Sequence, residues 1–289
     1  MDLKKINKEK IRDFIRTSPI LFSLGFTLLV VFLNEIFSSF FHLLPDGTWM
    51  EILQELVFLI WPVALVLIFG FGFIFRQRGI RATFGAALPL FLSVGFVMVG
   101  QLVLLSRDPA TEWKSGLEIF SGILTLLGIG IREEILYRGV NTNAIARKYG
   151  RTAKGLWITV LSAGAMFGAI HLANAFNNVS FAGSLAQTLG AFGSGVFLCA
   201  VYLRSGSIWG MVVLHAMVDG YSLFEGLFYQ TEGAAAGEHD AVDLLDHVNG
   251  LQQFGFAGSG AAAADIHAGK CALLADDGST AGSALEILG

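Results

Sequence analysis

The 289-residue chain is 54% hydrophobic and only 15% charged, with a mean hydropathy of +0.64. That balance excludes a soluble domain, which would have to bury several wholly apolar helices inside a chain of this length. The formal net charge of −4 conceals two unlike parts: residues 1–229 hold 18 basic and 14 acidic residues, and residues 230–289 hold 1 and 9.

In chain order, residues 1–19 form a basic arm with Lys4, Lys5, Lys8, Lys10, Arg12 and Arg16. Seven segments then approach the length of about 20 apolar residues that crosses a hydrocarbon core. They are Leu21–Leu44, Ile52–Phe75, Phe84–Leu105, Leu117 to about Tyr137, Trp157–Phe176, Phe181–Leu203 and Ile208–Phe224. The expected fold class is all-α, a polytopic transmembrane helix bundle over residues 20–229. The first segment runs for 24 residues with no small-x-small site after it, so it reads as a retained span rather than a cleaved leader. Sixteen Lys and Arg fall on the side of the N-terminus and the even-numbered connections, against Arg107 and Lys114 on the other. The positive-inside rule then places the N-terminus in the cytosol. Seven crossings put the C-terminus outside, and an eighth would reverse only that last step.

Residues 230–289 form an acidic, Ala/Gly-rich tail without a strong hydrophobic period, expected to be mobile or weakly helical. Val242–Phe256 has the pattern of a short amphipathic helix, and His239, His247 and His267 lack metal-ligand spacing. Two cysteines, Cys199 in an apolar helix and Cys271 in the tail, do not make a disulfide framework.

Three polar clusters interrupt the lipid-compatible sequence: Glu133-Glu134-x-x-x-Arg138, Phe167-x-x-x-His171 and His215-x-x-x-Asp219. Ionisable groups in such segments are costly and point by default to a buried functional site. On a helix, Glu134 and Arg138 share one face at i, i+4, and Glu133 projects about 100° away, free to work on water. The bland alternative is a cytosolic helix end whose charges meet solvent. His171 stands in a stretch without charge, with Phe167 one turn before it, a pattern that also fits simple core packing. His215 and Asp219 again share a face, where a carboxylate can set the imidazole tautomer. Glycines in or beside the last three helices, Gly164, Gly168, Gly190, Gly193 and Gly195 among them, allow close helix approach. Counted from the helix ends, Glu133 lies near a cytosolic end, His215 about two turns in and His171 more than three. His171 therefore meets the others only if its helix starts late or tilts.

Rival chemistries fit less well. No His-Glu-x-x-His zinc motif is present, and an aspartyl dyad would need two membrane aspartates where only Asp219 qualifies. A Ser194–His215 dyad superficially resembles the rhomboid arrangement but leaves Glu133, Glu134, Arg138 and His171 without a task. Gly193-Ser194-Gly195 reads instead as a helix-packing patch. A non-catalytic membrane protein, either a proton-coupled transporter or an immunity or scaffold factor, is the other class considered. Glu35 and Glu55, both toward the outer halves of their helices, motivate it.

In order, spacing and placement on successive helices, the three clusters resemble the motif set of the CPBP family (CAAX proteases and bacteriocin-processing enzymes, also called Abi). The resemblance covers residues 130–220. It implies an α-helical intramembrane endopeptidase acting in the lipid bilayer on a hydrophobic, membrane-anchored or lipidated peptide, with no nucleic-acid partner. It also implies that Glu133 activates water with help from His171, and that His215 and Asp219 stabilise the oxyanion. Glu134 and Arg138 would hold the site together. Asp219 stands where the Ras-converting type has Asn; an ionised carboxylate would repel the oxyanion, so it must be protonated or act through His215. Metal-dependent and metal-free chemistry both remain open, because Glu133, His171 and His215 could ligate a divalent ion such as Zn²⁺ and leave one position for water.

Overall fold

Apolar helices with Ser or Thr at their N-termini build the chain into an all-α bundle. The computed structural model describes residues 3–41, 43–77, 79–107, 112–176 and 180–229. The tail 230–289, with the Val242–Phe256 segment, the three tail histidines and Cys271, lies outside the described residues.

Helix α1 (Leu3–Thr17) leads directly into α2 (Pro19–Phe41), and α3 (Thr48–Ile68) returns. A 3₁₀ turn (Gly72–Arg76), α4 (Ile80–Ala86) and α5 (Leu88–Leu105) follow. The second half contains α6 (Gly116–Glu134), α7 (Asn143–Tyr149), α8 (Ala153–His171), α9 (Phe181–Ser205), α10 (Ile208–Ser222) and the short α11 (Phe224–Phe228).

Each of the four long helices of this half starts at a hydroxyl cap that satisfies an otherwise orphaned N–H. Ser115 forms a capping box with Glu118, while Thr152, Ser180 and Ser207 accept from Gly155, Gly183 and Gly210. Gly206 closes α9 in the left-handed region at φ 63°, where a side chain would be strained.

Five described helices are long and apolar enough to cross a membrane: α2, α3, α5, α8 with its 3₁₀ extension to Ala175, and α9. The expected segments map onto these within about four residues, except that Ile52–Phe75 runs seven residues past the end of α3. The two remaining segments are α6, which carries Glu118, Arg132, Glu133 and Glu134, and α10, which has only 15 residues. Burial separates centre from rim. Within their apolar windows α8 and α9 are each 44% buried and α5 only 11%, so α8 and α9 are interior and α5 is lipid-facing.

The α8–α9 seam is closed by small residues, as expected. A Cβ on Gly168 would sit 2.8 Å from the Thr188 carbonyl oxygen, and one on Gly195 3.0 Å from the Gly164 Cα. Gly193, by contrast, faces open space, so the packing patch rests on Gly195.

Candidate active site

Helix α6 does not end at Glu134. Residues Ile135–Thr142 continue it as two turns of π-helix, and α7 extends the same rod to Tyr149. The wider winding is supported by polar side chains at its C-terminal end. Thr142 Oγ1 donates to the Tyr137 carbonyl (2.8 Å), and Asn143 Nδ2 donates to the carbonyls of Arg138 (3.0 Å) and Gly139 (2.8 Å). Asn143 Nδ2 also reaches the Tyr202 hydroxyl (2.8 Å), and Asn141 Nδ2 donates to Thr27 Oγ1 (2.9 Å), which ties the rod to α9 and α2. Wide π turns inside α-helices occur often at functional sites.

This continuation corrects two expectations. The helix does not end at solvent after Glu133 and Glu134: every residue from Glu134 to Thr142 is buried, while Glu133 is partly exposed. The depth mismatch for His171 also disappears. Glu133 lies 16 residues before Tyr149 and His171 lies 18 residues after Ala153, so both stand roughly 20 Å or more from that shared turn. Helix α8 starts before Trp157, not late.

All six expected residues gather where α6, α8 and α10 meet. Glu134 Oε1 accepts from Arg138 Nη1 at 2.8 Å, with side chains 0% and 1% exposed. The same oxygen lies 2.7 Å from His215 Nδ1. On the other side of that imidazole, Nε2 is 3.4 Å from Glu133 Oε2 and 3.3 Å from Asp219 Oδ2. Both ring nitrogens therefore face carboxylate oxygens, an arrangement that only the doubly protonated imidazolium satisfies with two donors.

The site thus has two layers. Glu134, Arg138 and His215 form a buried floor, while Glu133 and Asp219 keep 30% and 26% of their side chains exposed. His171 belongs to the open layer, since it is partly exposed and within electrostatic reach of Glu133. Its Nδ1 lies 2.8 Å from the Phe167 carbonyl, which can only accept, so Nδ1 carries the proton. In the neutral ring Nε2 then offers a lone pair.

Phe167 holds the floor together rather than merely filling the core. Its face carries the Arg138 guanidinium at 4.7 Å, and its ring meets His171 at 5.1 Å and His215 at 5.9 Å, edge to face. Tyr137, a residue without an expected role, packs edge to face on the same ring at 4.9 Å. Its i+4 spacing from Glu133 was the available signal. Two further polar positions are accounted for: Glu55 accepts from Arg132 at 2.5 Å, and Glu35 is exposed. Ser194 Oγ donates to the Ala191 carbonyl in its own helix at 3.1 Å.

Among the described residues, no group of three or more His, Cys, Asp or Glu side chains is arranged to hold a metal ion. Of the set Glu133, His171 and His215, His215 turns Nδ1 to Glu134 and Nε2 toward Glu133 and Asp219.

Residues 115–221 match a family model described as type II CAAX prenyl endopeptidase Rce1-like. No curated protein and no solved structure matches the chain.

Proposed function

From a chain that carries a type II CAAX prenyl endopeptidase Rce1-like domain over residues 115–221, we propose hydrolysis of a peptide bond by a glutamate-activated water inside the membrane-embedded bundle. The substrate is a hydrophobic, membrane-anchored or lipidated peptide, and the cationic end of the bundle faces the cytosol. The observation that carries the proposal is the convergence of Glu133, Asp219 and Glu134 on His215, with His171 within electrostatic reach of Glu133.

In this mechanism a water donates one hydrogen to the Glu133 carboxylate and the other to His171 Nε2, which aims an oxygen lone pair at the scissile carbonyl carbon. Attack forms the new C–O bond as the water proton passes to Glu133. The carbonyl π electrons move onto oxygen, where the His215 Nε2–H donates to the developing oxyanion. Collapse breaks the C–N bond, and Glu133 returns its proton to the leaving amine. Glu134 and Asp219 balance the imidazolium charge, and Arg138 fixes Glu134. Asp219 thereby acts through His215 and not on the oxyanion itself.

Purified protein in detergent should cleave a fluorogenic peptide, and Glu133→Ala and His171→Ala should each lower the rate by about 10²–10⁴. Comparing prenylated and unprenylated forms of the peptide defines the substrate class. If both variants cleave as fast as the parent, the proposal is wrong.

A further inference from the structure

One end of the bundle is densely cationic. Among the described residues four stretches meet there: 9–20, 70–85 without residue 78, 140–157 and 202–210, with three, two, four and one Lys or Arg respectively. Against these ten stand only Glu9 and Asp13 among the described residues.

Contacts between the stretches show that they share one end. Lys148 Nζ donates to the Thr17 carbonyl, closing the C-terminus of α1 onto α7 (2.5 Å). Arg147 lies over the rings of Phe71 (4.9 Å) and Phe73 (5.4 Å), joining α7 to the 3₁₀ turn. Gly79, before α4, packs against the Ser205 carbonyl at the end of α9, and Trp209 Nε1 donates to the Phe75 carbonyl (3.3 Å).

Helix α1 is docked by one edge only. Ile15 is 3% exposed against the bundle, while Ile11 and Phe14 are 40% and 45% exposed, beside the exposed Lys10 and Arg12. Apolar and cationic side chains together on an outward helix face are the pattern of a helix lying in a membrane interface. The helix runs into the span α2 after the single residue Ser18, so it stands at the membrane boundary. Exposed Trp157 and Trp209 lie at the same end, as interfacial aromatics do. Arg81, Arg151 and Lys154 extend the exposed positive surface around the rim.

We infer that this end is a binding surface for anionic phospholipid headgroups, with α1 lying flat in the interface, Ile11 and Phe14 entering the acyl boundary and the rim cations meeting phosphates. The position of the charge at the foot of membrane-crossing helices favours lipid over an acidic protein, because a bilayer surface necessarily faces this rim.

The test is lipid selectivity by spin-label electron paramagnetic resonance on the full chain in phosphatidylcholine vesicles. Spin-labelled phosphatidylglycerol should occupy the protein-immobilised shell about fivefold more than spin-labelled phosphatidylcholine at low salt, which corresponds to about one cation–headgroup contact. High salt should erase the preference. The pairs Lys10→Gln with Arg12→Gln, and Arg81→Gln with Lys154→Gln, should each lower it, whereas Arg107→Gln at the opposite end should leave it intact. Equal occupancy by the two lipids at low salt overturns the inference, and so does a preference unchanged in both paired variants. Binding of a polyglutamate peptide without any lipid preference would assign the surface to an acidic protein and equally overturn it.

Discussion

His215 Nδ1 lies 2.7 Å from Glu134 Oε1, although 81 residues separate them in the chain. This contact joins α6 to α10 and makes the fully buried Glu134 the shared anion of two cations, Arg138 and the imidazolium of His215. A carboxylate with no exposure is tolerated in such a place only when its charge is matched and hydrogen-bonded.

Removing one member of that floor should therefore cost folding stability as well as activity. Arg138→Ala or Glu134→Ala leaves a buried charge uncompensated, a loss of about 3–5 kcal/mol. Thermal unfolding in detergent should fall well below that of Glu133→Ala, whose side chain is 30% exposed. Matching unfolding temperatures for the three variants would contradict a structural role for the pair.

Asp219→Asn separates the two roles open to that side chain. If Asp219 works by orienting His215 from 3.3 Å, an amide oxygen in its place still faces Nε2 while the Nε2–H remains free for the oxyanion. The rate should then drop less than about tenfold, short of the about 10²–10³ that losing an oxyanion donor costs. His215→Ala should show the larger loss. Asp219→Asn as inactive as His215→Ala would return Asp219 to direct contact with the reacting atoms.

The α8–α9 seam positions His171, so a bulky residue there should inactivate the protein without touching the chemistry. Gly168→Val places a branched side chain against the Thr188 carbonyl (2.8 Å) and Phe192 Cβ (2.9 Å), three residues before His171. Cleavage should collapse in protein that still inserts and purifies. Gly193→Val, with nothing within 4 Å of its Cβ, should be near neutral. Similar behaviour of the two variants would show that the seam does not control the site.

The glutamates that suggested a transport pathway should differ in kind. Glu55→Ala strands Arg132, whose side chain is 14% exposed, and should cost about 1–3 kcal/mol in detergent unfolding. Exposed Glu35→Ala should stay within about 0.5 kcal/mol. Proton uptake in proteoliposomes that depends on Glu35 would overturn the assignment of both residues to structure.

The long apolar helices, their order and the three polar clusters were legible in the sequence, because each rests on local spacing, whereas α1, read as a basic arm, and the short α4 and α7 were not. About twenty apolar residues make a span, and i, i+4 pairs share a face wherever the backbone stays helical. The sequence also exposed the cationic bias, yet two of its sixteen charges, Arg132 and Arg138, turn out to be interior ion-pair partners. What local spacing could not reveal is winding and convergence. The π turns at Ile135–Thr142 depend on carbonyl partners from Thr142 and Asn143, and on neighbours such as Thr27 and Tyr202 that are remote in the chain. Only the packed bundle could choose that geometry over an ordinary helix end. The same packing turned Asp219 toward His215 and made Phe167 a platform for three site residues, since side-chain direction follows from which helices meet.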